Sequence, residues 1–165
     1  MARFFRDALL APPDGRLLQR SLVNSVLSIS VSLALVWVVF GVTTLLGVAG
    51  AEDDAPEAGS LGIWPFVGIV LLVPVAETLM LAGLLRLLPQ AWGIMPRALV
   101  SGLIWGGFHA LFDPMWFFAP AFVFFVLSCA YLTWRPASFG HAFTAATLPH
   151  ALLNLVAFVL YSLPG

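Results

Sequence analysis

Five apolar stretches organise the chain, each separated from the next by a short polar or turn-forming segment. They fall at about residues 22–48, 61–88, 98–112, 115–134 and 141–163. Runs of this kind predict helices that cross a bilayer, which takes about 20 apolar residues each. The third stretch is the shortest and is rich in glycine. The first break, residues 51–60, holds Glu52, Asp53, Asp54 and Glu57. The others are a turn at 89–96 flanked by Arg86 and Arg97, Asp113-Pro114, and Arg135-Pro136. Ahead of the first span, Phe4, Phe5, Leu9 and Leu10 alternate with Arg3 and Arg6, and Pro12-Pro13 follows as a breaker. That pattern predicts a short interfacial helix. The expected fold is all-α: a multi-pass transmembrane helical bundle of about five spans with an N-terminal interfacial helix. Residues 1–20 form a cytoplasmic segment and 21–165 the bundle. Residues 47–51 faintly resemble a signal-peptide cleavage site. The apolar run before them is about twice the length of a signal core, which favours a retained membrane helix.

Composition supports the membrane reading. Of 165 residues, 61% are hydrophobic and only 9% charged, too little polar surface for a soluble domain of this size. Net charge is −1 and every basic residue is arginine, with no stripe suited to nucleic acid. The single cysteine, Cys129, has no internal disulfide partner and reads as a small apolar filler. The arginines are also one-sided. Arg3, Arg6, Arg16 and Arg20 precede span one; Arg86 and Arg97 flank the second-to-third turn; Arg135 lies in the fourth-to-fifth turn. The other two breaks carry acids instead. The positive-inside rule then places the N-terminus in the cytoplasm and the C-terminus outside, with a prokaryotic cytoplasmic (inner) membrane the expected location.

Against this apolar background the intramembrane polar residues stand out. Glu77 lies near the middle of the second run, with no other charge until Arg86. An ionisable group at bilayer depth is costly, and by default it marks function. His109, His150 and Asn154 fall in two later runs. Counting about 1.5 Å per residue from the arginine-bearing ends places Glu77 and His109 each at about 18 Å, His150 at about 14 Å and Asn154 at about 20 Å. Three separate helices therefore bring polar groups to one level. His150 and Asn154, four apart, share a helix face. His141 is out of phase with them at the membrane boundary and is read as interfacial. Pro74, three residues before Glu77, is expected to kink its helix and free backbone carbonyls beside the carboxylate; Pro149 is placed to do the same beside His150. Gly83, Gly102, Gly106 and Gly107 are expected to let spans two and three approach closely.

A carboxylate, two imidazoles and an amide in a site shielded from water suit amide hydrolysis. The carboxylate serves as general base, a histidine orients the water or protonates the leaving amine, and the amide donates to a developing oxyanion. The same Glu77, His109 and His150 also suit a divalent metal with water at an open position, and sequence does not separate the two.

Three segments resemble a known family. Pro74-Val-Ala-Glu-Thr-Leu-Met-Leu-Ala-Gly-Leu-Leu85 is similar to the first motif of the CAAX-protease and bacteriocin-processing (CPBP) intramembrane proteases. Ser101-Gly-Leu-Ile-Trp-Gly-Gly-Phe-His-Ala-Leu111 is similar to the second, with Trp105 as the aromatic four residues before the histidine. His150-Ala-Leu-Leu-Asn154 is similar to the third. Order and spacing agree, and the likeness covers a protease-like core of residues 61–165. It implies a glutamate-dependent intramembrane endopeptidase without a metal cofactor. Glu77 and His109 would activate water, and His150 and Asn154 would steady the oxyanion. The implied partners are membrane lipids and a membrane-associated or lipidated peptide or protein substrate. The chain departs from the first motif twice. Thr78 stands where the family has a second glutamate, and Ala82 where it has an arginine. Positions four apart on a helix can pair, so their joint replacement avoids stranding one buried charge.

Blander readings stand beside these. Glu77 could be a protonated structural carboxyl, His109 could pack beside Trp105, and His150 with Asn154 could be interhelical hydrogen-bond glue. Asp113 before Pro114 reads as a turn residue. The aromatic run from Trp116 to Phe125 reads as lipid-facing or packing surface. Two functional alternatives remain: a catalytically inactive relative that binds membrane peptides or regulates a partner, and a proton or ion pathway.

Overall fold

The computed structural model describes residues 9–10, 16–47 and 62–163. These form five principal helices and, among the described residues, no strand. Helix α1 is Leu17–Leu45, α2 is Ile63–Leu87, α3 is Ile94–Ala110, α4 is Phe118–Trp134 and α5 is Phe139–Ser162. A tight turn, Pro114–Phe117, leads into α4. Each helix lies within a few residues of its expected span. The acidic segment at 51–60, Arg3, Arg6, Phe4, Phe5 and Pro12-Pro13 lie outside the described residues.

Four helices are long and apolar enough to cross a membrane: α1, α2, α4 with its leading turn, and α5. The protein is membrane-spanning. The expected third span differs. Helix α3 has 17 residues. That corresponds to about 26 Å, short of a hydrocarbon core of about 30 Å. It finds its place by packing along α4, where its glycines matter. A Cβ on Gly102 would lie 2.5 Å from the carbonyl oxygen of Ala121, and one on Gly106 would lie 2.6 Å from Ala121 Cβ. Ser128 Oγ donates to Ser101 Oγ across the same seam at 2.9 Å. The close approach is thus α3 on α4. The expectation that these glycines join spans two and three is not met: Gly83 and Gly107 face open space, and α2 and α3 touch little. The hydrophobicity of α3 extends all round it, so composition gave no rotational phase.

Helix α4 is the centre of the bundle. Every residue from 126 to 134 is buried, and α1, α3 and α5 pack around it. Helix α1 is inside-out by soluble standards. It buries Ser21, Asn24, Ser25, Ser28 and Ser32 and exposes Leu18, Leu22, Val26 and Trp37. Small polar residues on the packed face and large apolar ones outside are the arrangement a lipid solvent favours. Leu9, from the expected interfacial helix, is buried against Ala98, Val126 and Cys129. Its carbonyl accepts from Thr133 Oγ1 at 3.1 Å, which ties Leu9 to α4.

Candidate active site

Helix α2 is not uniformly α-helical. Val67–Leu72 is a π-helical turn, in which the Val73 N–H reaches back five residues to the Gly68 carbonyl. The next donor in that register would be residue 74, which is proline and has no N–H. The Ile69 carbonyl therefore lacks its helical donor. The side chain of Asn154 supplies one: Nδ2 donates to Ile69 O at 2.9 Å. The expected freeing of a carbonyl by Pro74 takes this specific form, and a residue of α5 occupies the freed group.

One turn further along α2, Glu77 meets two histidines. Its Oε2 lies 3.2 Å from His150 Nε2, and its Oε1 lies 3.9 Å from His109 Nε2. The structure thus joins Glu77, His109 and His150 from α2, α3 and α5. Asn154 shares the His150 face of α5, but its amide is turned to the Ile69 carbonyl. His141 belongs to the end of the bundle, where Ser138 Oγ holds its Nδ1 at 2.7 Å and Trp134 stacks on its ring. Asp113 accepts from the Met115 N–H at 2.8 Å, a turn contact, as expected.

The two histidines are fixed differently. His109 Nδ1 lies 2.8 Å from the carbonyl oxygen of Trp105, one turn earlier on α3. A carbonyl only accepts, so Nδ1 carries the proton, and in the neutral ring Nε2 presents a lone pair toward Glu77. The 3.9 Å separation exceeds a direct hydrogen bond and suits a bridging water. His150 is within hydrogen-bond distance of Glu77, and a carboxylate there accepts from its Nε2–H. Its Nδ1 is buried with no partner among the described residues.

Phe124 of α4 backs both rings. It lies 5.7 Å from the His109 ring and 5.4 Å from that of His150, centroid to centroid, and stacks on Trp105 at 4.2 Å. It is buried and forms an apolar wall behind the cluster. Sequence reasoning placed the aromatic run around it at a packing or lipid surface and did not single it out. Neither that run nor a spacing rule marks which phenylalanine faces inward. The positions of the two family departures are both buried, Thr78 at 1% exposure and Ala82 at 4%. The Thr78 hydroxyl has no hydrogen-bond partner among the described residues.

Glu77 and His109 are each about one-fifth exposed, whereas His150 is nearly enclosed. The exposed edge of the cluster is therefore its Glu77–His109 side. Two cavities lie elsewhere: one of about 390 Å³ at the end of the bundle, and one of about 220 Å³ between α3 and α4. Among the described residues no three His, Cys, Asp or Glu side chains have the arrangement of a metal-ligand set. Comparison with family models, curated proteins and solved structures finds no match to this chain.

Proposed function

We propose that this protein is an intramembrane endopeptidase of the CPBP type that hydrolyses a peptide bond in a membrane-associated or lipidated peptide. The observation that carries the reading is the meeting of Glu77, His109 and His150 from three helices, with a water-sized gap between Glu77 Oε1 and His109 Nε2. A water in that gap donates one hydrogen to each. Glu77 takes a proton as the water oxygen attacks the scissile carbonyl carbon. The C–N bond then breaks, and the proton held by Glu77 passes to the leaving amine, so one water is consumed and an acid and an amine form. His150 holds the second carboxylate oxygen and fixes the orientation of Glu77. The oxyanion role implied for His150 and Asn154 requires both to exchange their present acceptors for substrate, since one faces Glu77 and the other the Ile69 carbonyl. In this reading the N-terminus is cytoplasmic, α3 completes a fifth span, the membrane is the prokaryotic inner membrane, and no metal takes part.

The test is cleavage of membrane peptides by Glu77→Gln and His109→Ala variants that still insert and fold. Abolished cleavage in both is expected; normal turnover by either would remove the assignment.

A second reading, a non-catalytic relative that binds membrane peptides or regulates a partner, draws on a specific observation. Both donors implied for the oxyanion are already engaged, and the buried sites at Thr78 and Ala82 lack the charged pair of the family motif. An unchanged cellular phenotype with Glu77→Gln would favour it.

A further inference from the structure

At the end of the bundle where the α2–α3 turn meets the end of α4, a cavity of about 390 Å³ is lined by Arg86, Gln90, Arg97, Tyr131 and Arg135 together with apolar neighbours. Its size lies in the range of small-molecule sites, about 300–1,000 Å³. Three of the seven arginines of the chain converge here from three elements. None forms an ion pair with a carboxylate of the described residues, and the acids so described, Glu77 and Asp113, lie outside the lining. Helix ends do not neutralise them. The C-termini of α2 and α4 each contribute about half a negative charge, and the N-terminus of α3 about half a positive one, which leaves roughly two and a half positive charges in excess among the described residues.

The interior of the cavity also carries unsatisfied donors. Arg97 is 8% exposed and Tyr131 is 2% exposed. The Arg97 guanidinium donates through one terminal nitrogen to the Leu85 carbonyl, which holds it in place, while its Nε has no partner among the described residues. Among the same residues the Tyr131 hydroxyl has none either. Buried donors without acceptors among the described residues, beside two exposed guanidinium groups and with no described carboxylate in the lining, make a site suited to an anion. Guanidinium forks match the planar, multi-acceptor edge of a phosphate. The position is also the right one. The cavity lies where the apolar helices α2 and α4 end, and basic pockets at the ends of membrane helices take anionic headgroups.

We infer that this cavity binds a phosphate group presented by an anionic phospholipid, with Arg97 and Tyr131 as the buried anchors and Arg86 and Arg135 closing on the headgroup. The site is separate from the Glu77 cluster and does not depend on its chemistry.

The experiment follows thermal unfolding of the full-length protein in micelles at fixed ionic strength, with added phosphatidylglycerol, phosphatidylcholine or inorganic phosphate. Saturable stabilisation by phosphatidylglycerol, absent with phosphatidylcholine, is expected for the wild type. The half-saturating concentration should rise at least tenfold in Arg86→Gln/Arg135→Gln. It should rise severalfold in Tyr131→Phe, which removes one oxygen from a folded protein. Arg86→Lys/Arg135→Lys keeps the charge and loses the forks, so it should also bind more weakly. Equal response of the wild type and the glutamine pair would overturn the site, and so would full binding by the lysine pair, which would indicate diffuse attraction alone. Equivalent stabilisation by inorganic phosphate, competing with the lipid, would overturn the lipid as its source.

Discussion

Replacing Asn154 by alanine removes the side-chain donor that Ile69 O receives among the described residues, and the cost should depend on Pro74. The contact is short, 2.9 Å, and joins α5 to the π-helical turn of α2. Interhelical side-chain hydrogen bonds in membranes contribute about 0.6 kcal/mol on average and up to about 1.7. Loss of this one also orphans a carbonyl that Pro74 has already deprived of its helical donor, so the upper part of that range applies: about 1–2 kcal/mol. With alanine at position 74 a backbone N–H returns. If the π register persists, the N–H of residue 74 reaches Ile69 O; if the turn relaxes to α, the Val73 N–H does. Either way the carbonyl is satisfied without Asn154. Asn154→Ala should then cost less than about 0.5 kcal/mol, giving a coupling of about 1 kcal/mol in the double-mutant cycle. Reversible unfolding in mixed micelles titrated with a denaturing detergent measures all four corners. Simple additivity, with Asn154→Ala equally costly in both backgrounds, would refute the link between the proline, the freed carbonyl and the amide.

Other expectations concern packing, the missing charge pair and metal. Gly106→Ala should destabilise by about 1–3 kcal/mol, because its Cβ would press on Ala121 and the Phe117 carbonyl, whereas Gly107→Ala, facing open space, should be neutral in the same unfolding assay. Thr78→Glu and Ala82→Arg should each cost about 3–5 kcal/mol as unpaired buried charges, and the double variant should recover much of that through pairing along α2; a double variant less stable than either single would show that the two positions do not meet. Peptide cleavage should survive exhaustive treatment with chelators; loss of cleavage that added zinc restores would instead place a metal at Glu77, His109 and His150.

The sequence made the helices legible because bilayer thickness sets a length scale that composition alone can reveal. Depth was legible for the same reason. Counting from the arginine-bearing ends put Glu77, His109 and His150 at one level, and in the structure they converge, with Glu77 3.2 Å from His150 and 3.9 Å from His109. Rotation was not legible. A helix apolar on every side carries no amphipathic phase, since lipid and protein core accept the same side chains. Hence Gly102 and Gly106 were set against α2 when they face α4, Phe124 was lost among its aromatic neighbours, and the buried serine face of α1 went unread. Asn154 shows the other limit. Spacing placed it beside His150, but the choice of acceptor depended on a π-helical turn that the sequence does not announce; Pro74 marked only its place.

The central claim is that the Glu77 carboxylate activates water for peptide hydrolysis. Comparative mass spectrometry of membrane peptides from cells producing the wild type or Glu77→Gln tests it most directly, because glutamine keeps the shape of the side chain and removes only the base. Removal of a positioned general base lowers rates by about 10²–10⁴-fold. Peptides with new termini should therefore accumulate with the wild type and fall to background with Glu77→Gln, at equal levels of inserted, folded protein. Identical peptide profiles from the two would contradict the claim.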